Sequence, residues 1–422
     1  MGPQEVESDE ETLVQEHVWR AWERRTEYEA SGIEPEVPVD LGRDIGSENL
    51  EFVGFADIGT ELGGLPDGSP DDTTCEDNLE ALGSLAENAV WGYFINPAGE
   101  TWRWRPRDPV ASFTTVRRAN REAFIERAVR EVVPSVRGAD EGVHGEDDAG
   151  DDVFRGDGVL GADNRVIRSA SSGHSMTSIK GSWVRIGGLP NEGWDPGSNG
   201  DNTAGTATKI GPRHLLTVGH GVWKGGHFFP KDWWPGEDGV AHETELTNSA
   251  APNGVKKIDW YYIAPKWYES EKNTQDFAIL ILHDNASSAQ FPSFGFKEDY
   301  ALAQELTWNF GIPSPGKSCA GSPLVGDSCR SSLYGHKKPV RRTEASYVFT
   351  AHDAQPEHSG GPVYKFDGGD RNIVAIVKSK YSAVENRHLR IWGFVFDTIV
   401  AVMNAHPSSH CVDYGWTSPG CD

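Results

Sequence analysis

The last two-thirds of the chain is built from short apolar stretches punctuated by Gly, Pro, Asn and Asp. "GSWVRIGG" (181–188), "GTATKIGPRHLLTVGH" (205–220), "DWYYIAP" (259–265), "DFAILILHD" (276–284), "LTWNFGIP" (306–313), "ASYVFTAHD" (345–353), "NIVAIVKSK" (372–380) and "IWGFVFD" (391–397) each read as a strand. Many short strands with turn signals between them predict an antiparallel barrel or sandwich. "DTIVAVMNAH" (397–406) then reads as a C-terminal helix capped by Asp397.

The first third has another texture. Leu13 to Tyr28 and Ala119 to Val133 carry amphipathic helical patterns, the second stopped by Pro134. Between them "AVWGYFINPAGETWRWRP" reads as a hairpin turning at Asn96-Pro97-Ala98-Gly99, with Trp102 and Trp104 alternating against Arg103 and Arg105. The segment "RGADEGVHGEDDAGDDVFRGDG" (137–158) has little to bury and reads as an exposed linker. Two units are expected, an acidic α/β region over residues 1–155 and a mainly β domain over 156–422.

Charge sharpens that division. Residues 1–155 hold 36 acidic residues against 14 arginines and no lysine, so −22 of the net −25 lies there. So acidic a chain lacks the basic surface that nucleic acid or an anionic membrane requires, and no apolar run is long enough for a spanning helix. The opening "MGPQEVESDEE" has no signal-peptide pattern, which leaves a cytoplasmic protein or a signal already removed. Cys319 and Cys329, and Cys411 and Cys421, each flank a short loop; this is the pattern of two local disulfides with Cys75 left over, and it favours export.

The chemistry concentrates in three places. A serine hydroxyl is a poor nucleophile at neutral pH and needs a base within hydrogen-bond reach and an acid to orient that base. Ser359 stands in "HSGGPVY", His220 ends the strand "RHLLTVGH", and Asp276 precedes the apolar strand "FAILIL". Their order, His–Asp–Ser, differs from that of subtilisins and α/β-hydrolases. These contexts resemble the motifs of the trypsin/chymotrypsin-like serine peptidases, most closely the bacterial glutamyl-endopeptidase type. "VLGADNR" (Val159 to Arg165) resembles the segment near the start of the mature domain in that group, and the likeness runs from about Val159 to Ala405.

The resemblance implies two six-stranded antiparallel β-barrels with the triad in the cleft between them, a C-terminal helix, and no metal or organic cofactor. It implies a backbone oxyanion hole at Glu357 and Ser359, and a substrate pocket lined by Asp353, Ala354, Val377, Lys378 and Lys380. The substrate is expected to be a peptide or protein. Residues 1–155 are expected to act as a propeptide that binds the peptidase domain in cis and is released in the linker, with a permanent accessory domain as the other reading.

Several positions depart from the family. Glu357 stands where relatives carry glycine, His358 where trypsins carry the aspartate of their activation switch, Gly221 where a half-cystine commonly follows the histidine, and Val377 where glutamate-specific relatives carry a histidine. Basic, acidic and other primary specificities all stay open. Glu357 keeps a second function open, an inactive pseudoprotease acting as a binding module, and the shared acyl-enzyme chemistry keeps an esterase or acyltransferase open.

Overall fold

The computed structural model describes residues 9–58, 90–105, 166–168, 176–181, 205–234, 258–283, 293–298, 302–311, 333–354, 358–367, 370–382 and 384–406. The N-terminal elements are helices α1 (Asp9–Ser31) and α2 (Val39–Ile45) and strands β1 (Leu50–Phe55), β2 (Asp57–Ile58), β3 (Gly92–Ile95) and β4 (Glu100–Trp104). Next come β5 (Val166–Arg168), β6 (Met176–Gly181), β7 (Gly205–Lys209), β8 (His214–Thr217), β9 (Trp223–Lys224), β10 (His227–Phe228), β11 (Lys231–Trp234), β12 (Ile258–Ile263), helix α3 (Pro265–Ser270) and β13 (Ala278–Leu282). The chain continues through β14 (Gly295–Phe296), β15 (Leu306–Gly311), β16 (Leu333–Thr343), β17 (Tyr347–Thr350), β18 (Pro362–Asp367), β19 (Asp370–Lys380), β20 (Asn386–Arg390) and helix α4 (Phe394–Ala405).

Six C-terminal strands close on themselves. The order β19-β18-β15-β16-β17-β20 returns to β19 through a β19–β20 ladder, and every pairing in the ring is antiparallel. Closure removes the open edges that a sheet otherwise presents. The expected mainly β fold thus takes the form of one closed six-stranded barrel, a further sheet and a C-terminal helix.

The further sheet runs β1-β4-β3-β12-β13-β8-β7-β6-β11. Its central strands, β12 (IDWYYI) and β13 (AILIL), are buried along their whole length, as their nearly unbroken apolar sequences require. One edge of β12 pairs with β13, and the other is taken by β3 in the register Tyr261↔Ile95, Tyr262↔Phe94 and Ile263↔Tyr93. The hairpin read at residues 96–99 is present. Asn96 Oδ1 accepts the Ala98 and Glu100 N–H groups, and Gly99 takes φ +84 where a Cβ would meet the Ala56 carbonyl at 2.7 Å.

Described residues between 41 and 58 and between 91 and 104 share one core with the rest of the sheet. Leu41, Phe94, Ile95, Trp102 and Trp104 pack into the cluster that holds Tyr261, Tyr262, Ile399 and Val402. Polar anchors fix the seam. Glu100, fully buried, accepts hydrogen bonds from Arg24 at 2.8 and 3.0 Å, from Asn96 at 2.9 Å and from Trp102 at 2.9 Å. Trp260 donates to Asp40 at 2.8 Å, and the Tyr262 hydroxyl donates to the Trp91 carbonyl at 2.5 Å. Gly92 is required here, because a Cβ would lie 2.1 Å from the Tyr262 ring.

Two sequence expectations change. "IWGFVFD" is not a strand: Gly393 takes φ +48 and Phe394 opens the helix, so α4 begins a turn earlier than Asp397, which lies in its first turn. Strand β20, sequence NRHLR, escaped the hydrophobic pattern because it is polar, yet it is buried between β17 and β19. All five cysteines, the linker, "VLGADNR" and the helix read at 119–133 lie outside the described residues.

Candidate active site

His220 lies just after β8 and Asp276 just before β13, two strands that are neighbours through Ala278↔Thr217. This pairing carries the two side chains to the same end of the sheet. His220 Nδ1 sits 2.8 Å from Asp276 Oδ2, and the backbone N–H of His220 donates to Asp276 Oδ1, also at 2.8 Å. Next to a carboxylate the ring carries its proton on Nδ1, which leaves Nε2 as the basic lone pair. Nε2 makes no hydrogen bond to any described residue. Burial would push the Asp276 carboxyl up, but His220, reinforced by the Lys378 charge, outweighs it and holds the group below the ordinary carboxylate value.

A conformational detail behind the histidine makes this fit. A Cβ on Gly219 would lie 2.5 Å from the Trp267 ring. The glycine therefore lets Trp267 of α3 pack edge-on to His220, with ring centroids 6.3 Å apart. Trp267 in turn donates to the Trp223 carbonyl at 2.9 Å. Trp223 stacks on Tyr268 and Tyr268 stacks on Tyr93 of β3, so an aromatic chain links the N-terminal hairpin to the surroundings of the histidine.

Ser359 comes from the closed barrel, in the turn before β18. The turn is bound on two sides: the Ser359 carbonyl accepts from Thr206 of β7 at 3.0 Å, while Gly360 N–H donates to Val377 of β19 at 2.9 Å. Gly360 has φ +89, and a Cβ there would lie 2.0 Å from the Thr206 carbonyl and 2.2 Å from the Thr217 hydroxyl. Only glycine brings the serine turn this close to β7 and β8. The Ser359 hydroxyl donates to the Lys378 carbonyl at 3.1 Å, and Lys378 Nζ stands 3.7 Å from Asp276 Oδ2. Ser359, Lys378, Asp276 and His220 thus form one chain of contacts across the seam between sheet and barrel.

The expected pocket residues are only partly in view. Asp353 is buried and Ala354 half-buried after β17, and Val377 is buried on β19. Lys378 is turned toward the aspartate and Asn273, and Lys380 pairs with Asn386 at the end of β19. Glu357 lies outside the described residues. Sequence reasoning missed His388, which stands opposite Val377 on β20 and lies 2.8 Å from the Thr350 hydroxyl. It also missed Asn273, Trp267 and Thr206; Gly219 beside the histidine was the single local hint that something large packs there.

Solved structures of three proteases align with part of this chain at low similarity. A Glu endopeptidase structure aligns over 58% of this chain and 98% of its own, with 19% identity and a TM-score of 0.44. The protease Anisep from Arthrobacter nicotinovorans covers 55% and 96% at 15% identity and TM-score 0.40, and the thermostable serine protease AL20 from an extremophilic microorganism covers 56% and 97% at 16% and 0.37. No protein-family model and no curated protein matches the sequence.

Proposed function

We propose that the chain is a serine endopeptidase that hydrolyses peptide bonds through His220, Asp276 and Ser359. The observation that carries this reading is the buried His220–Asp276 pair, its Nε2 lone pair free, at the seam where the glycine turn presents Ser359. Ser359 Oγ rotates from the Lys378 carbonyl toward His220 Nε2 and gives up its proton as it attacks the peptide carbonyl. The imidazolium then protonates the leaving amine, and water, activated by the same nitrogen, hydrolyses the acyl-enzyme. Asp276 fixes the tautomer and stabilises the imidazolium. The backbone N–H groups of Ser359 and Glu357 are assigned to the oxyanion, where one donor contributes about 2.7–4 kcal/mol. The test is digestion of an unfolded protein, with product peptides mapped by mass. Ser359→Ala and His220→Ala are each expected to lose about 10⁴-fold or more in rate, and digestion that survives both substitutions sinks the reading.

We also propose that the enzyme works outside the cytoplasm and is cut in the linker (137–158), and that residues 1–155 then stay on the sheet in cis as an accessory unit rather than leave as a plug. Export rests on the spacing of Cys319, Cys329, Cys411 and Cys421; alkylation of any of these four without prior reduction, beyond the one alkyl group expected on Cys75, would contradict it. Retention is supported by the β3–β12 ladder and the shared core.

A further inference from the structure

Lys378 is 3% exposed, and its ammonium is placed beside the buried Asp276 carboxylate. Nζ lies 3.7 Å from Asp276 Oδ2 and donates to Asn273 at 3.0 Å (carbonyl) and 2.5 Å (Oδ1), with the Tyr347 ring 5.5 Å away. The same residue offers its backbone carbonyl to the Ser359 hydroxyl. Lys378 belongs to β19 of the closed barrel, while Asn273 and Asp276 belong to the loop entering β13. One residue therefore ties the aspartate loop of the sheet to the nucleophile of the barrel.

The charges decide what this arrangement does. In the buried cluster the Asp276 carboxylate, held below its ordinary value, is balanced by the Lys378 ammonium 3.7 Å away. When His220 takes the serine proton the cluster becomes net positive, whereas a neutral residue in place of Lys378 would leave it balanced. Tyr347 of β17 faces the cluster with its ring 5.5 Å from Lys378 Nζ, and Arg387 of β20 holds its guanidinium 4.8 Å from the same ring. Arg387 adds to the positive side. A cation held against the aspartate thus makes the imidazolium harder to form.

We propose that Lys378 is a positioning residue of the triad, a built-in counter-charge that holds Asp276 in place and lets the site react down to lower pH than a triad with a neutral neighbour. This inference rests on the endopeptidase reading. Removing one unit charge from a buried site of this kind is expected to move the acid limb of its reaction by about one pH unit.

The test uses the full chain and needs no knowledge of the natural substrate. The second-order rate of Ser359 phosphonylation by a small fluorophosphonate is measured against pH, with tryptophan fluorescence confirming the folded state at each point. Lys378→Met is expected to move the acid-side midpoint up by about one pH unit. Lys378→Gln, which keeps an amide donor for Asn273 and serves where the methionine variant does not fold, is expected to do the same, and Lys378→Arg to keep the wild-type midpoint. An unchanged midpoint in a folded neutral variant, or an arginine variant that moves as far as the neutral ones, overturns the inference. Absence of wild-type labelling at Ser359 overturns the endopeptidase reading instead, so the two failures are distinct.

Discussion

The closed barrel and the long sheet reach stability by different routes. The barrel joins strands from residues 306–390 into a ring and pairs its own edges. The sheet, in contrast, leaves an edge of β12 to be filled by strands from residues 50–104. The proposed catalytic pieces divide along the same line, because Ser359 belongs to the barrel and the His220–Asp276 pair to the sheet. The proposed nucleophile thus rests on a self-contained unit, whereas its proposed base rests on a sheet that the acidic N-terminal region helps to build.

The most drastic way to expose this difference is to delete residues 1–155. The deletion uncovers β12 and removes Phe94, Ile95, Trp102 and Trp104 from the core, at roughly 1.5–3 kcal/mol for each large apolar side chain. That total rivals the whole stability of a domain, on the order of 5–15 kcal/mol. The shortened protein is expected to aggregate or lose cooperative unfolding in calorimetry. Cutting the linker while keeping both pieces is expected to leave them eluting together on size exclusion. A soluble, active fragment 156–422 would show that the sheet does not need its N-terminal strands.

A pair of glycine substitutions compares the two regions more finely. Gly360→Ala places a Cβ against the Thr206 carbonyl in a left-handed turn, so fluorophosphonate labelling of Ser359 is expected to fall by about 100-fold or more as the turn shifts. Gly92→Ala places a Cβ against the Tyr262 ring in the N-terminal seam. It is expected to lower the melting temperature while labelling per folded molecule stays within about tenfold. Equal labelling losses in the two variants would erase the distinction drawn between turn and seam.

Acid separates the regions through buried histidines. Burial holds His352 down to about 4, and it holds His388 and His214 well below their ordinary value. A histidine depressed in the folded state contributes stability that is complete above its unfolded pKa near 6.5 and is lost as pH falls toward the folded value. His352 and His388 are in the barrel and His214 is in the sheet, so the barrel carries more of this sensitivity. Denaturant midpoints are expected to drop between pH 6.5 and 4, with His352 accounting for on the order of 3 kcal/mol. His352→Gln should flatten the slope, and an unchanged slope would rule that histidine out. Asp276, also depressed, adds its loss only below the ordinary carboxylate range, near pH 4.

The smallest expected effect tests the aromatic chain behind His220. Tyr93 donates to Glu269 of α3 at 2.6 Å and stacks on Tyr268, with ring centroids 3.8 Å apart. Tyr93→Phe removes the hydrogen bond and keeps the stack, which should lower stability by about 1 kcal/mol in chemical denaturation and change Ser359 labelling less than threefold. A large labelling loss would mean that the hydroxyl, and not the stack, supports the histidine.

Much of this division was legible in the sequence, and its limits have physical causes. Strands β7, β8, β12, β13, β15, β17 and β19 announced themselves as apolar runs, and the proposed triad stood out as a histidine, an aspartate and a serine at strand ends in a telling order. The polar sequence of β20 hid it, since only its two neighbours make it a barrel strand. The sharp change in charge near residue 155 suggested two separate units, yet the β3–β12 ladder joins residues far apart in sequence, which no local pattern records. Lys378 could be placed on a strand beside the serine, but its contact with Asp276, 102 positions earlier in the chain, exists only in the folded protein.

The measurement that bears most directly on the account is covalent labelling of the full chain and of a linker-cut form with a fluorophosphonate, followed by peptide mapping of the adduct. The account predicts a single adduct on Ser359 in the cut form, abolished by His220→Ala and still formed while residues 1–155 remain bound. A folded protein that takes no label, or takes it at another serine, would contradict the assignment of Ser359 as an activated nucleophile.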